Sequence, residues 1–297
     1  MTNAIILAAV ANLPQDVSVL ARAVEISAAR GADLHVAHVL DLPGDVADLH
    51  DGSSLLGQAA LAAREKIEAA LFTLGTDPQA ATIHIMSGSH ALQLIDLSAE
   101  LAPDLIVMRA HQKLKITERL LGSTTDRVIA AADVPVLVVK RPVEHPYGHV
   151  VLATNGADGA LAMSRFVSEI LPGAELTLVQ AVQIPPQLKE AMLRVGSRKA
   201  ELTAHRKKLV KAAEDYLGDV TSRLKRRVAT RVLQGDPLRT LTRLCKTPDV
   251  DLITVGQGRD SLIRRAFIGS VSRRLLRDAR CDVLIWCPSP ADTQAPS

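Results

Sequence analysis

A chain of 297 residues with a formal net charge of +3 and few aromatic residues suits two domains of ordinary size, each able to bury a core. No stretch stays apolar for the ~18 residues a membrane span needs, and no basic region precedes the first short apolar run, which argues against a secretory signal. Cys245, Cys281 and Cys287 form no CxxC pair, so they offer neither a disulfide framework nor a metal site and fit a reducing, cytoplasmic compartment.

Charge is unevenly divided, −6 over residues 1–145 and +9 over residues 146–297. The basic residues are scattered over helical segments with few aromatics for bases to stack on. They read as a solvated face and not as a nucleic-acid surface.

The first half opens with Ala4–Val10, a continuous apolar run that reads as a strand buried on both faces. Asp16 starts a helical pattern that Gly31 stops, and Asp33–Leu40 reads as a second strand. Ser53 or Ser54 begins a helix ending near Gly75. Thr82–Met86 is a third strand, and Ser89 starts a helix running to Leu101, where Pro103 ends it. Asp104–Met108 is a fourth strand, a helix follows near residues 123–132, and Val134–Val139 is a fifth strand.

Landmarks of this half recur 147 residues later. Asp104-Leu-Ile-Val-Met108 returns as Asp251-Leu-Ile-Thr-Val255, Gly122-Ser123 as Gly269-Ser270, and Gly88 as Gly235. One offset shared by three landmarks indicates a duplicated domain. The second half has strands near Val150–Thr154, Glu175–Ala181, Val228–Leu233, Leu252–Gly256 and Val283–Trp286, with one long basic helix between Pro186 and Gly218. Lys140–Gly148, with two prolines and a glycine, reads as a short ordered linker.

Alternating strands and helices predict βαβ units. The expected fold is α/β, two tandem doubly wound Rossmann-like domains, each a five-stranded parallel sheet with helices on both faces, spanning 1–141 and 149–288.

In such sheets ligands bind beyond the carboxyl ends of the strands. The loop after the fourth strand is followed there by Gly-Ser at a helix start, where glycine lets a phosphate reach the main chain and free N–H groups favour an anion.

The spacing Gly-x2-Gly-x9-Gly-Ser, after a strand like Asp-Leu-Ile-Val-Met and before Pro-Val-Leu-Val-Val, resembles the universal stress protein domain, here as two tandem copies over essentially the whole chain. The resemblance implies phosphates of ATP cradled by that loop and an acid after the first strand contacting the ribose. In the first copy Arg109 and Gln112 replace the early glycines, His111 falls where the family often has His, and no acid precedes Asp16. That copy is expected not to bind ATP in the family's manner. In the second copy Gly256, Gly269 and Ser270 match. Arg259 replaces the middle glycine with Gly258 one residue early, and Asn155 stands at the ribose position. Arg264 and Arg265 make the loop basic.

The resemblance therefore implies ATP or another adenine nucleotide held by Asn155, Gly256, Gly258, Arg259, Gly269 and Ser270. Gly122 reads as a helix-packing glycine, while for Gly269 packing and phosphate approach stay open. His38, His84, His90 and His111 lie on different elements and suggest no metal. Ser270 has no His or Asp partner in the sequence pattern, so a binding protein is expected and not an enzyme, weak ATP hydrolysis being left open. The alternative is a non-nucleotide ligand or an interaction scaffold. The family also implies an internal pseudo-dimer through Val134–Val139 and Val283–Trp286, with further homodimerisation open.

Overall fold

A computed structural model describes residues 3–42, 46–109, 123–157, 159–195, 199–257 and 269–288. The first half contains β1 Ile5–Ala9, α1 Val17–Arg30, β2 Asp33–Leu40, α2 Leu55–Thr73, β3 Ala81–Ser87, α3 His90–Leu101, β4 Leu105–Arg109, α4 Ser123–Ala131 and β5 Val136–Val139. The second contains β6 His149–Thr154, α5 Ala160–Ile170, β7 Glu175–Val182, α6 Pro186–Arg194, α7 Lys199–Ser222, β8 Ala229–Gln234, α8 Pro237–Leu244, β9 Leu252–Gly256, α9 Ser270–Asp278 and β10 Asp282–Trp286.

The expected long basic helix is two helices, α6 and α7. α6 ends at Arg194, where the Val195 N–H bonds the Ala191 carbonyl, and residues 196–198 lie outside the described residues. Asp16 does occupy the N-cap of α1, but its side chain makes no capping bond there. The carboxylate instead accepts from the N–H groups of Ala11 and Asn12, before the helix. Ser54 caps α2 through the Gly57 N–H at 2.8 Å, and Asp236 caps α8 through the Arg239 N–H at 2.9 Å.

Within each half all strands run parallel, in the orders β3-β2-β1-β4-β5 and β10-β9-β6-β7-β8. β5 and β10 then pair antiparallel, Val283 opposite Val138 and Ile285 opposite Val136, so the halves share one ten-stranded mixed sheet. This junction is aliphatic on both faces because alternate side chains enter opposite layers. Leu137 and Leu284 pack with α1 and α5, while Val136, Val138, Val283 and Ile285 pack on the α4 and α9 side. Full burial of each such side chain contributes roughly 1.5–3 kcal/mol.

The repeated landmarks have structural duties. Asp104 accepts the Ile5 N–H at 2.9 Å, and Asp251 accepts the Gly148 and His149 N–H groups at 2.8 and 3.0 Å. Each carboxylate holds the entry to the first strand of its own half. Gly88 and Gly235 both carry positive φ, 111° and 130°, after the edge strands β3 and β8.

The linker is pinned by buried Asp282. Its carboxylate accepts Tyr147 Oη–H at 2.6 Å and the Lys140 N–H at 2.7 Å, and the Arg22 guanidinium lies 3.7 Å above the Tyr147 ring. Burial and the neighbouring Asp282 carboxylate push the Tyr147 phenol well above its ordinary value. None of the helices among the described residues is long and apolar enough to cross a membrane.

Candidate binding site

The order reverses between β6 and β9, so the connections leaving their carboxyl ends turn to opposite faces of the sheet and open a crevice. A cavity of about 530 Å³ lies there, bounded by the exits of β6, β9 and β10 and the first turn of α9. Asn155, Gly256, Gly269 and Ser270 all line it. Gly258, Arg259, Arg264 and Arg265 lie outside the described residues, as do His111, Gln112 and Gly122.

Gly269 is the N-cap of α9, with φ −56° and ψ 153°, and Ser270 is the first helical residue. The N–H groups of Ser270, Val271 and Ser272 have no acceptor within the helix and present its positive end to the cavity. A Cβ at Gly269 would meet only ordinary contacts, the nearest 3.7 Å away, and one at Gly256 would meet nothing within 4 Å. Among the described residues, neither packing nor backbone conformation requires glycine at these two positions. What their lack of a side chain provides is open space at the crevice.

Asn155 faces solvent, and its Oδ1 accepts the Ala157 N–H at 3.0 Å. That bond shapes the β6–α5 loop and leaves the amide's two N–H donors for other partners.

Four residues of the wall were not legible as site residues. Trp286, the sole tryptophan of the chain, closes one side of the cavity. Gly159 faces it in the left-handed region, φ 108°, where a Cβ would meet the indole at 3.2 Å. Ser272 Oγ donates to the Gly256 carbonyl at 3.1 Å and ties the start of the loop to its end. Gln257 is buried, and its Nε2 donates to Ile129 O of the first half at 2.6 Å while Cys287 Sγ donates to its Oε1 at 3.0 Å. The loop therefore departs from a point anchored across the junction. The signal available in sequence was position: Trp286 ends the last strand, beside Gly256 in the sheet register. The described lining residues include no Asp, Glu, His, Lys or Arg.

The equivalent place in the first half is built differently. Arg109 stands where Gly256 stands in the second, and its side chain crosses to the β1–α1 loop. There it donates to the Gln15 carbonyl and lies 3.7 Å from Asp16 Oδ1. Thr125 repeats the role of Ser272, its Oγ1 3.4 Å from the Arg109 carbonyl. The tie between strand end and helix start persists, but the strand ends in a long cationic side chain where the twin has glycine.

His84, on the edge strand, meets His35 of β2, Nδ1 of one ring 2.9 Å from Nε2 of the other. His38 Nδ1 lies 2.9 Å from the Val10 carbonyl. The three cysteines are buried and unbridged.

The model of the universal stress protein family matches residues 2–140 and again 146–286. A universal stress protein of Methanocaldococcus jannaschii is 24% identical over 154 residues, 48% of this chain and 83% of its own. The crystal structure described as a putative universal stress protein of Pseudomonas aeruginosa superimposes with TM-score 0.69 at 14% identity, covering 98% of this chain and 96% of its own. A universal stress protein crystallised in complex with cAMP is 25% identical, covers 47% of this chain and 99% of its own, and has TM-score 0.37.

Proposed function

We propose that this chain, which belongs to the universal stress protein family through both of its halves, is a binding protein whose second domain holds one adenine nucleotide and whose first holds none. The observation that carries this reading is the contrast at one equivalent position. Among the described residues, Gly256 and Gly269 leave open space at the positive end of α9, whereas in the twin Arg109 stands at the position of Gly256 and bonds the β1–α1 loop.

In this reading the N–H groups of the first turn of α9, which have no acceptor within the helix, meet the phosphates together with Ser270 Oγ. Asn155 offers its amide donors to the ribose, and Trp286, Met163 and Val255 give the base an apolar wall. Gly258 and Arg259 are assigned to the phosphates by the family pattern alone. The domains are 1–141 and 149–288. The antiparallel pairing of β5 with β10 supports reading them as an internal pseudo-dimer. The protein acts in the cytoplasm in a stress response, by binding and not turnover, since the described wall offers no group to move a proton.

Because Trp286 is the sole tryptophan, its emission reports on this cavity. Titration with ATP is expected to change that emission saturably. Unchanged emission together with no ATP retained in dialysis overturns the reading. A second reading, a non-nucleotide apolar ligand, is favoured by the absence of charge among the described lining residues. Mass spectrometry of ligand released from purified protein separates the two.

A further inference from the structure

α9 turns its positive end to the crevice, and a side chain of the first half holds its other end. Lys140, the residue after β5, reaches across the junction. Its Nζ donates to the Leu276 carbonyl at 3.0 Å and to the Ala279 carbonyl. Leu276 lies in the last turn of α9 and Ala279 is its C-cap. Carbonyls at a helix end have no N–H partner within the helix, and a cation there complements the negative end of the dipole.

The duplication allows the reverse contact to be compared. At the offset of 147 residues Lys140 corresponds to Cys287, Leu276 to Ile129 and Ala279 to Ala132. Cys287 Sγ lies 3.9 Å from the Ala132 carbonyl, and the Ile129 carbonyl accepts Gln257 Nε2–H at 2.6 Å. The same two carbonyls at a helix end are thus met from the opposite half in both directions. Among the described residues, α9 is met by an ammonium group and α4 by an amide and a thiol. The opposite ends of the two helices differ as well. The first turn of α4 contains a carboxylate, Asp126, and that of α9 contains none.

Gln257 is a second anchor. Its main-chain N–H donates to the Trp286 carbonyl at 3.0 Å, and the residue lines the cavity while its side chain is tied to the first half. The segment from Gln257 to Ala279 is therefore bonded to the first half at both of its ends.

We infer that Lys140 is a positioning residue for the anion in the second-domain crevice, so that the first domain serves the site of its twin without holding a nucleotide itself. This rests on the nucleotide reading of that crevice. Lys140 fixes the direction of α9 and sets a positive charge on its axis behind the phosphates. The nine residues of α9 span about 14 Å at about 1.5 Å each. At an effective dielectric constant of about 20, one charge at that distance changes the affinity for one phosphate charge by about five- to tenfold. Adenosine, which carries no phosphate, gains nothing from it.

Equilibrium dialysis of the full chain, with ATP and with adenosine, tests the inference. Lys140→Met keeps the unbranched stem and removes the ammonium. It is expected to weaken ATP binding about five- to tenfold, with adenosine binding and circular dichroism unchanged. Should Lys140→Met not fold, Gln257→Leu decides by the same split between ATP and adenosine. Equal ATP affinity in wild type and variant overturns the inference and leaves the proposed site standing. Equal weakening of ATP and adenosine also overturns it, since Lys140 then serves the fold alone. A wild type that holds no ATP overturns the site and this inference with it.

Discussion

Removing the Tyr147 hydroxyl isolates one bond of the staple that joins α1, the linker and β10. Tyr147→Phe keeps the ring under Arg22 and deletes only the 2.6 Å bond to Asp282 Oδ2. A hydrogen bond to a charged group is worth about 1.5–3 kcal/mol, so a loss in that range is expected. Asp282→Ala goes further. It strips the acceptor from Tyr147 Oη–H and the Lys140 N–H and removes the carboxylate 3.9 Å from buried Arg22. Arg22 keeps Glu25 at 2.6 Å and the His145 carbonyl at 2.9 Å, so the added cost is that of the buried donors left without an acceptor, about 1–3 kcal/mol each and not simply additive. Burial itself pushes the Asp282 carboxyl up, with Tyr147, the Lys140 N–H and the nearby guanidinium groups pulling it back. Urea unfolding followed by Trp286 emission and by circular dichroism measures both variants. Equal losses for the two, or a Tyr147→Phe loss below about 0.5 kcal/mol, the scale of an ordinary surface change, refute the reasoning.

Three further outcomes follow from single contacts. Gly159→Ala places a methyl 3.2 Å from the Trp286 ring in a left-handed backbone, and should cost about 1–3 kcal/mol and shift the tryptophan emission. Arg109→Gly removes a partly exposed cation from Asp16 and should cost about 1 kcal/mol in urea unfolding, because solvent screens the pair; a loss above about 3 kcal/mol contradicts that. Burial holds His35 and His84 below the ordinary imidazole value, Asp33 opposing it at His35, and the His35 ring lowering and Glu100 raising His84. A base depressed in the folded state contributes stability that is intact above its unfolded pKa, about 6.5, and is lost as pH falls below it. The urea midpoint should therefore drop from about pH 7 towards pH 5, and His84→Gln should flatten that slope; an unchanged slope counts against the pair.

Most of the fold was legible because buried parallel strands are short aliphatic runs. Val136–Val139 and Val283–Ile285 are buried on both faces, so apolar continuity marks them without help from tertiary structure. The split between α6 and α7 was missed because the sequence there reads as continuously helical apart from Gly196-Ser197. At the candidate site, the repeat itself exposed the contrast between Arg109 and Gly256, since both occupy one register position. That Arg109 reaches the Gln15 carbonyl depends on β1 lying beside β4, a neighbour relation that composition does not encode. Trp286 and Ser272 were hidden for the same reason. Their roles arise from the meeting of β9, β10 and α9, and nothing local to either residue announces it. Asp104 and Asp251 stood out as landmarks, but the N–H groups they hold lie about a hundred residues away in sequence.

The stoichiometry of ATP per chain, measured by equilibrium dialysis at saturation, tests the central contrast most directly. One nucleotide per wild-type chain, falling to none in Gly269→Trp with the fold intact, is the expected result. Two per chain would show the first crevice open despite Arg109. None, or one that survives Gly269→Trp, would contradict the placement of the site at the start of α9.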